Sequence, residues 1–215
     1  MSATRPKPRA GSSRGRRQAE AAAKRRRRWG FGAGGVAVLA VAATVLGLHY
    51  ANQPSGSTTS SESSATPSVG KPAPPGTFTT LSGQTVDVAS LQGHPTLVWF
   101  VSTWCSSCQA GTQTMAQNVA RLQADGVKVD EVELYQDLGQ SGPSINAFAK
   151  ALAGPEATNP DWTFGTSSAS LTRTYDPQSY LDIYYLLNAQ GQVTYVNGSP
   201  GSTMPQLLAA AGKLA

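Results

Sequence analysis

The stretch PTLVWFVSTWCSSCQAG, residues 95–111, constrains this chain more than any other. From Pro95 to Thr103 it is apolar, rich in β-branched and aromatic residues and too short for a helix, which predicts a buried central strand. Trp104, Cys105 and Cys108 follow at once, and these are the only two cysteines of the chain. From Ser106 the pattern turns helical, with Met115, Val119 and Leu122 at helix spacing until Gly126. A helix that opens at a cysteine aims free backbone N–H groups and the positive end of its dipole at the sulfur, which favours the thiolate, the nucleophilic form. Residues i and i+3 share a helix face, so Cys108 lies one turn beneath Cys105 and can displace a mixed disulfide formed there. The expectation is that Cys105 attacks and Cys108 resolves.

The surrounding segments suit such a strand and helix. TFTTLSGQTVDVASLQG (77–93) reads as a hairpin around a Ser-Gly turn. VKVDEVEL (127–134) alternates like a strand, and SINAFAKALAG (144–154) reads as a helix ending at Gly154. DWTFGT is a further strand, and SSASLTRTY a helix capped by serine. DIYYLLN and VTYVNG form a hairpin about AQGQ, and MPQLLAAAGKL is a last amphipathic helix. Strands and helices that alternate and close on a hairpin predict an α/β sandwich, with a mixed central sheet and helices on both faces.

Charge divides the rest of the chain. Of 17 Lys and Arg, 11 lie in residues 1–28, where Glu20 is the only acid, so the net charge of +5 belongs to a tail and the remainder is mildly acidic. From Trp29 to Tyr50 there is no charge apart from what His49 carries, and about 20 apolar residues span a bilayer core. Aromatic rings stand at both ends, where headgroups lie, and KRRRR (24–28) abuts the segment on the side kept in the cytoplasm. No clear small-x-small cleavage site follows, so an uncleaved anchor is expected over a cleaved signal peptide or a buried helix. The basic run without an aromatic or other nucleic-acid-binding pattern suits anionic lipids better than nucleic acid, and no nucleic-acid partner is expected. Residues 51–75, nearly all Ser, Thr, Pro, Gly and Ala, read as a flexible linker. The expected organisation is a basic cytoplasmic tail (1–28), a transmembrane anchor (29–50), the linker (51–75) and an extracytoplasmic domain (76–215).

The cysteine pair admits four other readings. A structural disulfide closing so short a loop constrains the unfolded chain little. Zinc needs four ligands, and beyond two thiolates only His94 is at hand. Two unrelated buried thiols do not suit an oxidising compartment. A copper site on both sulfurs and one further ligand stays open. SLQGHPTLVWFVSTWCSSCQAG resembles the signature of membrane-anchored thioredoxin-like proteins of the TlpA/ResA kind, in which WCxxC opens a helix after a buried strand. GKPAPPGTFTTLSGQTVDVASLQG and YYLLNAQGQVTYVNG resemble that family's first and last hairpins, so the likeness covers about residues 70–213. It implies thiol–disulfide exchange with protein thiols outside the membrane, without a cofactor or a resident metal, and reduction through an integral membrane electron-relay partner. It also implies an exposed Cys105 nucleophile, Cys108 as resolving thiol, and Trp104 as part of a flat docking surface, with packing as the alternative for Trp104.

Several positions depart from the family. Where it places a cis-proline facing the disulfide, the register gives Asp182, a candidate for substrate binding; Pro177 could serve only in a longer loop. An aspartate there raises a neighbouring thiol by like-charge repulsion or keeps its own proton, or else caps a turn in solvent. Many relatives carry a buried acid or amide in the central strand. Trp99 stands at that position, so the proton acceptor is expected to be missing and water to take its place. Ser107, where relatives often have proline, offers an N–H to Cys105. PDWTFGTSS with YYLLN resembles Sco-type copper chaperones, with Tyr180 as the nearest candidate for their histidine. A peroxiredoxin-like peroxidase would use the hydroxyl of Ser102, but Val98 stands where its usual proline would be.

Overall fold

A computed structural model of the chain describes residues 66–215. The expected tail, anchor and most of the linker lie outside the described residues. Among the described residues no helix is long and apolar enough to cross a membrane.

Seven strands form one mixed sheet: β1 (Thr77–Thr80), β2 (Thr85–Asp87), β3 (Thr96–Val101), β4 (Lys128–Glu133), β5 (Trp162–Ser167), β6 (Ile183–Leu187) and β7 (Val193–Gly198). Their order is β2-β1-β5-β4-β3-β6-β7. β3, β4 and β5 run parallel, joined by α1 (Ser106–Ala124) and α2 (Ile145–Leu152), because parallel neighbours need a crossover. The other four pairs are antiparallel, and two of them, β1–β2 and β6–β7, are hairpins. α3 (Ala169–Tyr175) and α4 (Pro200–Ala211) complete the fold.

β3 is buried along its whole length, as its unbroken apolar run requires. Leu97, Trp99 and Val101 pack toward α1, α2 and α4, while Val98 and Phe100 pack toward α3 and the first hairpin. Gly111 lets α1 come close to the sheet: a Cβ there would stand 2.7 Å from the Trp99 ring. On the opposite face Tyr175 meets Phe100 and Tyr185, each with ring centroids 5.2 Å apart, and its hydroxyl donates to Pro74 O at 2.7 Å.

Three sequence expectations change. The folded part begins before Gly76: Gly70 N–H donates to Val193 O, Val193 N–H to Lys71 O, and Ala73 N–H to Gly191 O. GKPAPP has a linker's composition, yet it lies along the closing hairpin, and composition does not separate a docked extended segment from a free one. β4 does not alternate between core and solvent. It is the middle strand with both faces covered, so Asp130 and Glu131 are buried with its valines. α4 starts four residues early, at Pro200, whose fixed φ suits a first helical turn.

Tyr175→Phe leaves Pro74 O buried without its donor. It should lower the urea midpoint by an amount equivalent to about 1–2 kcal/mol with an unchanged m-value. An unshifted midpoint would show that this bond does not hold the N-terminal segment.

Candidate active site

The end of β3 delivers Cys105 to the start of α1. Its backbone is extended (φ −79°, ψ 122°), as an N-cap requires, and its sulfur takes the place of the usual capping oxygen. Cys108 N–H donates to Cys105 Sγ at 3.3 Å, and Ser107 Oγ lies 3.1 Å from the same sulfur. Ser107 therefore contributes through its hydroxyl, and the expected backbone donor comes instead from Cys108. The sulfur is less open than expected, because the residue is only 6% exposed.

Cys108 is fully buried, and its thiol donates to Leu181 O at 3.5 Å. Burial pushes this thiol far above the usual cysteine range, and the Cys105 sulfur and the Asp182 charge add to the rise. The pair is thus asymmetric: Cys105 is supplied with donors, while Cys108 is held as a neutral thiol until something takes its proton.

Asp182 stands at the loop position expected from the register and does not face solvent. It is 4% exposed, its Oδ1 accepts the Trp99 indole N–H at 2.8 Å, and its Oδ2 is buried without a hydrogen-bond partner. Burial raises its carboxyl above the usual range, opposed by the Trp99 indole and the hydroxyls of Ser107 and Ser199. Asp176 shapes this loop by accepting the N–H groups of Tyr180 and Leu181 at 2.7 and 3.2 Å. Leu181 has φ +70°, and no peptide bond among the described residues is cis, so Pro177, which is exposed, does not substitute for the missing proline. The expectation of a site without an acid is therefore corrected. Trp99 displaces the acid from the strand, and its indole N–H holds another acid, from the loop, next to Cys108.

Trp104 is 37% exposed, with its indole N–H on Asp137 O at 2.9 Å, so a ring face stays open beside Cys105. Asp137 escaped the sequence reading. Its buried carboxylate accepts Thr103 N–H at 2.8 Å and the Thr103 hydroxyl, which fastens the turn that carries Trp104 and Cys105. Gln136, Asp137 and Leu138 all have φ between 50° and 55°, a left-handed turn that costs energy without glycine and is held here by those bonds. Gly142 is required alongside, since a Cβ there would stand 2.1 Å from Thr103 Oγ1. The spacing of DLGQSG gives no signal for this.

The other chemistries find less support in the site. Among the described residues no group of three or more His, Cys, Asp and Glu could hold a metal ion. The Tyr180 hydroxyl donates to Gln178 at 3.0 Å. The Ser102 hydroxyl is buried and makes no hydrogen bond, so it does not engage Cys105 as peroxide chemistry would need.

Residues 69–158 match the AhpC/TSA family model, and the folded domain has a thioredoxin-like α/β fold. The soluble secreted antigen MPT53 of Mycobacterium bovis is 48% identical over 44 residues, 20% of this chain and 25% of the relative, and the Mycobacterium tuberculosis proteins match equally. The chain thus spans a quarter of the length of these curated relatives. Solved structures share the fold, among them two with TM-scores above 0.5. One is a candidate protein disulfide isomerase from Bacteroides thetaiotaomicron, at 14% identity and TM-score 0.54, covering 69% of this chain and 90% of that one. The other is a candidate thiol:disulfide interchange protein DsbE from Chlorobium tepidum, at 19% identity and TM-score 0.51, covering 68% and 100%.

Burial raises Asp130 to about 6 and Glu131 to about 8, and it raises Asp182 as well. Raised acids keep protons in the folded state that the unfolded chain has already lost, so stability falls as pH climbs from the ordinary carboxyl range toward about 8. The denaturant midpoint should be higher near pH 5 than near pH 8, and Glu131→Gln should flatten the slope. A midpoint that rises across this window would contradict the burial of these acids.

Proposed function

We propose that this protein is a thiol–disulfide oxidoreductase that exchanges disulfides with protein thiols outside the cytoplasmic membrane, tethered there by residues 29–50. The observation that carries the reading is the asymmetry of the pair: Cys105 Sγ takes a backbone N–H at a helix start, and Cys108 is buried one turn below against an acid. The redoxin match over residues 69–158 supports the reaction class, and the basic and apolar N-terminal segments support the placement.

In the reducing direction the Cys105 thiolate attacks a client disulfide. One bond forms between Cys105 and a client sulfur, and the other client sulfur leaves as a thiolate. Asp182 then accepts the Cys108 proton through its unpartnered Oδ2, and the Cys108 thiolate attacks the Cys105 sulfur. The client leaves with both sulfurs reduced, and the domain holds the Cys105–Cys108 disulfide. The same steps in reverse oxidise a client. An integral membrane electron-relay partner would restore the dithiol, as the family resemblance implies.

Client contact falls to the exposed rings around the sulfur. Trp104 and Tyr180 are open to solvent, and the backbone of Leu181 already touches Cys108, so a client strand beside this loop would bring its cysteine to Cys105.

Cys108→Ser should accumulate covalent adducts between Cys105 and client proteins in cells. The adducts should be absent in Cys105→Ser and in the double variant, and reducible by dithiothreitol. Exchange with a disulfide substrate such as insulin should fall at least about a hundredfold in Cys105→Ser, since no second nucleophile is poised to replace it. Full insulin reduction by Cys105→Ser, or adducts that form without Cys105, would overturn the proposal.

A further inference from the structure

Glu131 is the most completely buried acid of the domain, and exchange as written above does not use it. β4 places it level with Trp99 of β3 in the parallel pair, on the face covered by α1. Its Oε1 lies 2.6 Å from the Thr112 hydroxyl, and that hydroxyl lies 3.0 Å from the carbonyl oxygen of Cys108. A threonine hydroxyl carries one hydrogen. If that hydrogen goes to a carboxylate at Glu131, two oxygens face each other at the Cys108 carbonyl with no hydrogen between them. If it goes to the carbonyl, the shorter contact has no hydrogen unless Glu131 supplies one.

A carboxylic acid at Glu131 satisfies both contacts, since its O–H donates to Thr112 and the Thr112 O–H donates to Cys108. The surroundings favour the same state. The side chain is wholly enclosed and its Oε2 has no hydrogen-bond partner; the Trp162 indole on β5, whose N–H also has no partner, faces it and opposes the rise, and burial outweighs it. The charged group acting on it is Asp182, an acid, from the loop before β6; α1 contributes Thr112 and, one turn earlier, Cys108. No cation contributes. Burial accordingly holds its proton to about 8.

We infer that Glu131 is a positioning residue: protonated, it braces the Cys108 carbonyl through Thr112, and on losing its proton it adds a second buried anion beside Asp182 that suppresses the resolving thiolate. The protonation state rests on the hydrogen count together with the enclosure of the side chain, whereas the kinetic consequence rests on the exchange reading proposed above.

Two measurements on the full-length chain in detergent separate these. The infrared spectrum at about pH 7 should contain a carboxylic-acid C=O band that Glu131→Gln removes and that Thr112→Val moves to higher frequency, as expected when a hydrogen bond is lost. The rate at which Cys108 releases a preformed mixed disulfide on Cys105 should rise with pH in the parent and then bend downward above about 8. The Gln variant, whose amide can donate to Thr112 but cannot ionise, should continue to rise and exceed the parent's relative gain by about threefold or more near pH 9. Identical acid bands in the parent and Glu131→Gln would overturn the neutral acid. Superposable pH profiles would overturn its effect on Cys108. A protein with the band but no exchange in any variant would sink the oxidoreductase reading and leave the hydrogen count standing.

Discussion

The bond between the Trp99 indole and Asp182 holds the site together. It spans 83 positions of sequence and ties the buried floor of β3 to the loop that enters β6. A buried carboxylate is costly unless its oxygens are paired. Here one oxygen is paired, the other has no hydrogen-bond partner, and the charge of Asp182 acts on the buried Cys108 thiol. That arrangement keeps the acid in place and leaves it an empty acceptor position. Gly111 belongs to the same construction, since only a residue without a side chain lets α1 lie on the Trp99 ring.

Around this floor the two cysteines have different surroundings. Cys105 sits where β3 ends and the N–H groups of α1 begin, so the helix that buries Cys108 also supplies the donor to Cys105. The turn that carries them is not stiff by its own sequence. It is fastened from outside by Asp137, on a left-handed turn whose strain is held by bonds to Thr103 and Trp104. Strain of this kind persists where surrounding contacts over-determine it, and it is found near sites that need fixed geometry.

What could be read from the sequence was whatever is local. The run TLVWFV declares a buried strand by itself, and the helix after it follows from the spacing of Met115, Val119 and Leu122. The placement of the two cysteines one turn apart followed from i, i+3 geometry, and the position of Asp182 from counting back along β6. The environment of Asp182 was not legible, because it depends on an indole from another strand. Asp137 and Glu131 were hidden for the same reason: their partners Thr103 and Thr112 lie 34 and 19 positions away. Burial of Glu131 depends on β4 being the middle strand, a property of the assembled sheet. The segment from Gly70 to Pro75 has the composition of a tether, and only the match between its N–H groups and the carbonyls it faces reveals that it is docked.

The central claim is that Asp182 takes the proton of Cys108. The most direct test is the single-turnover rate at which Cys108 cleaves a mixed disulfide on Cys105, followed against pH in the parent and in Asp182→Asn. The account predicts a variant slower by about 10- to 100-fold near neutral pH that converges on the parent as hydroxide replaces the missing acceptor. Equal rates at neutral pH, or a deficit of constant size at every pH, would contradict it.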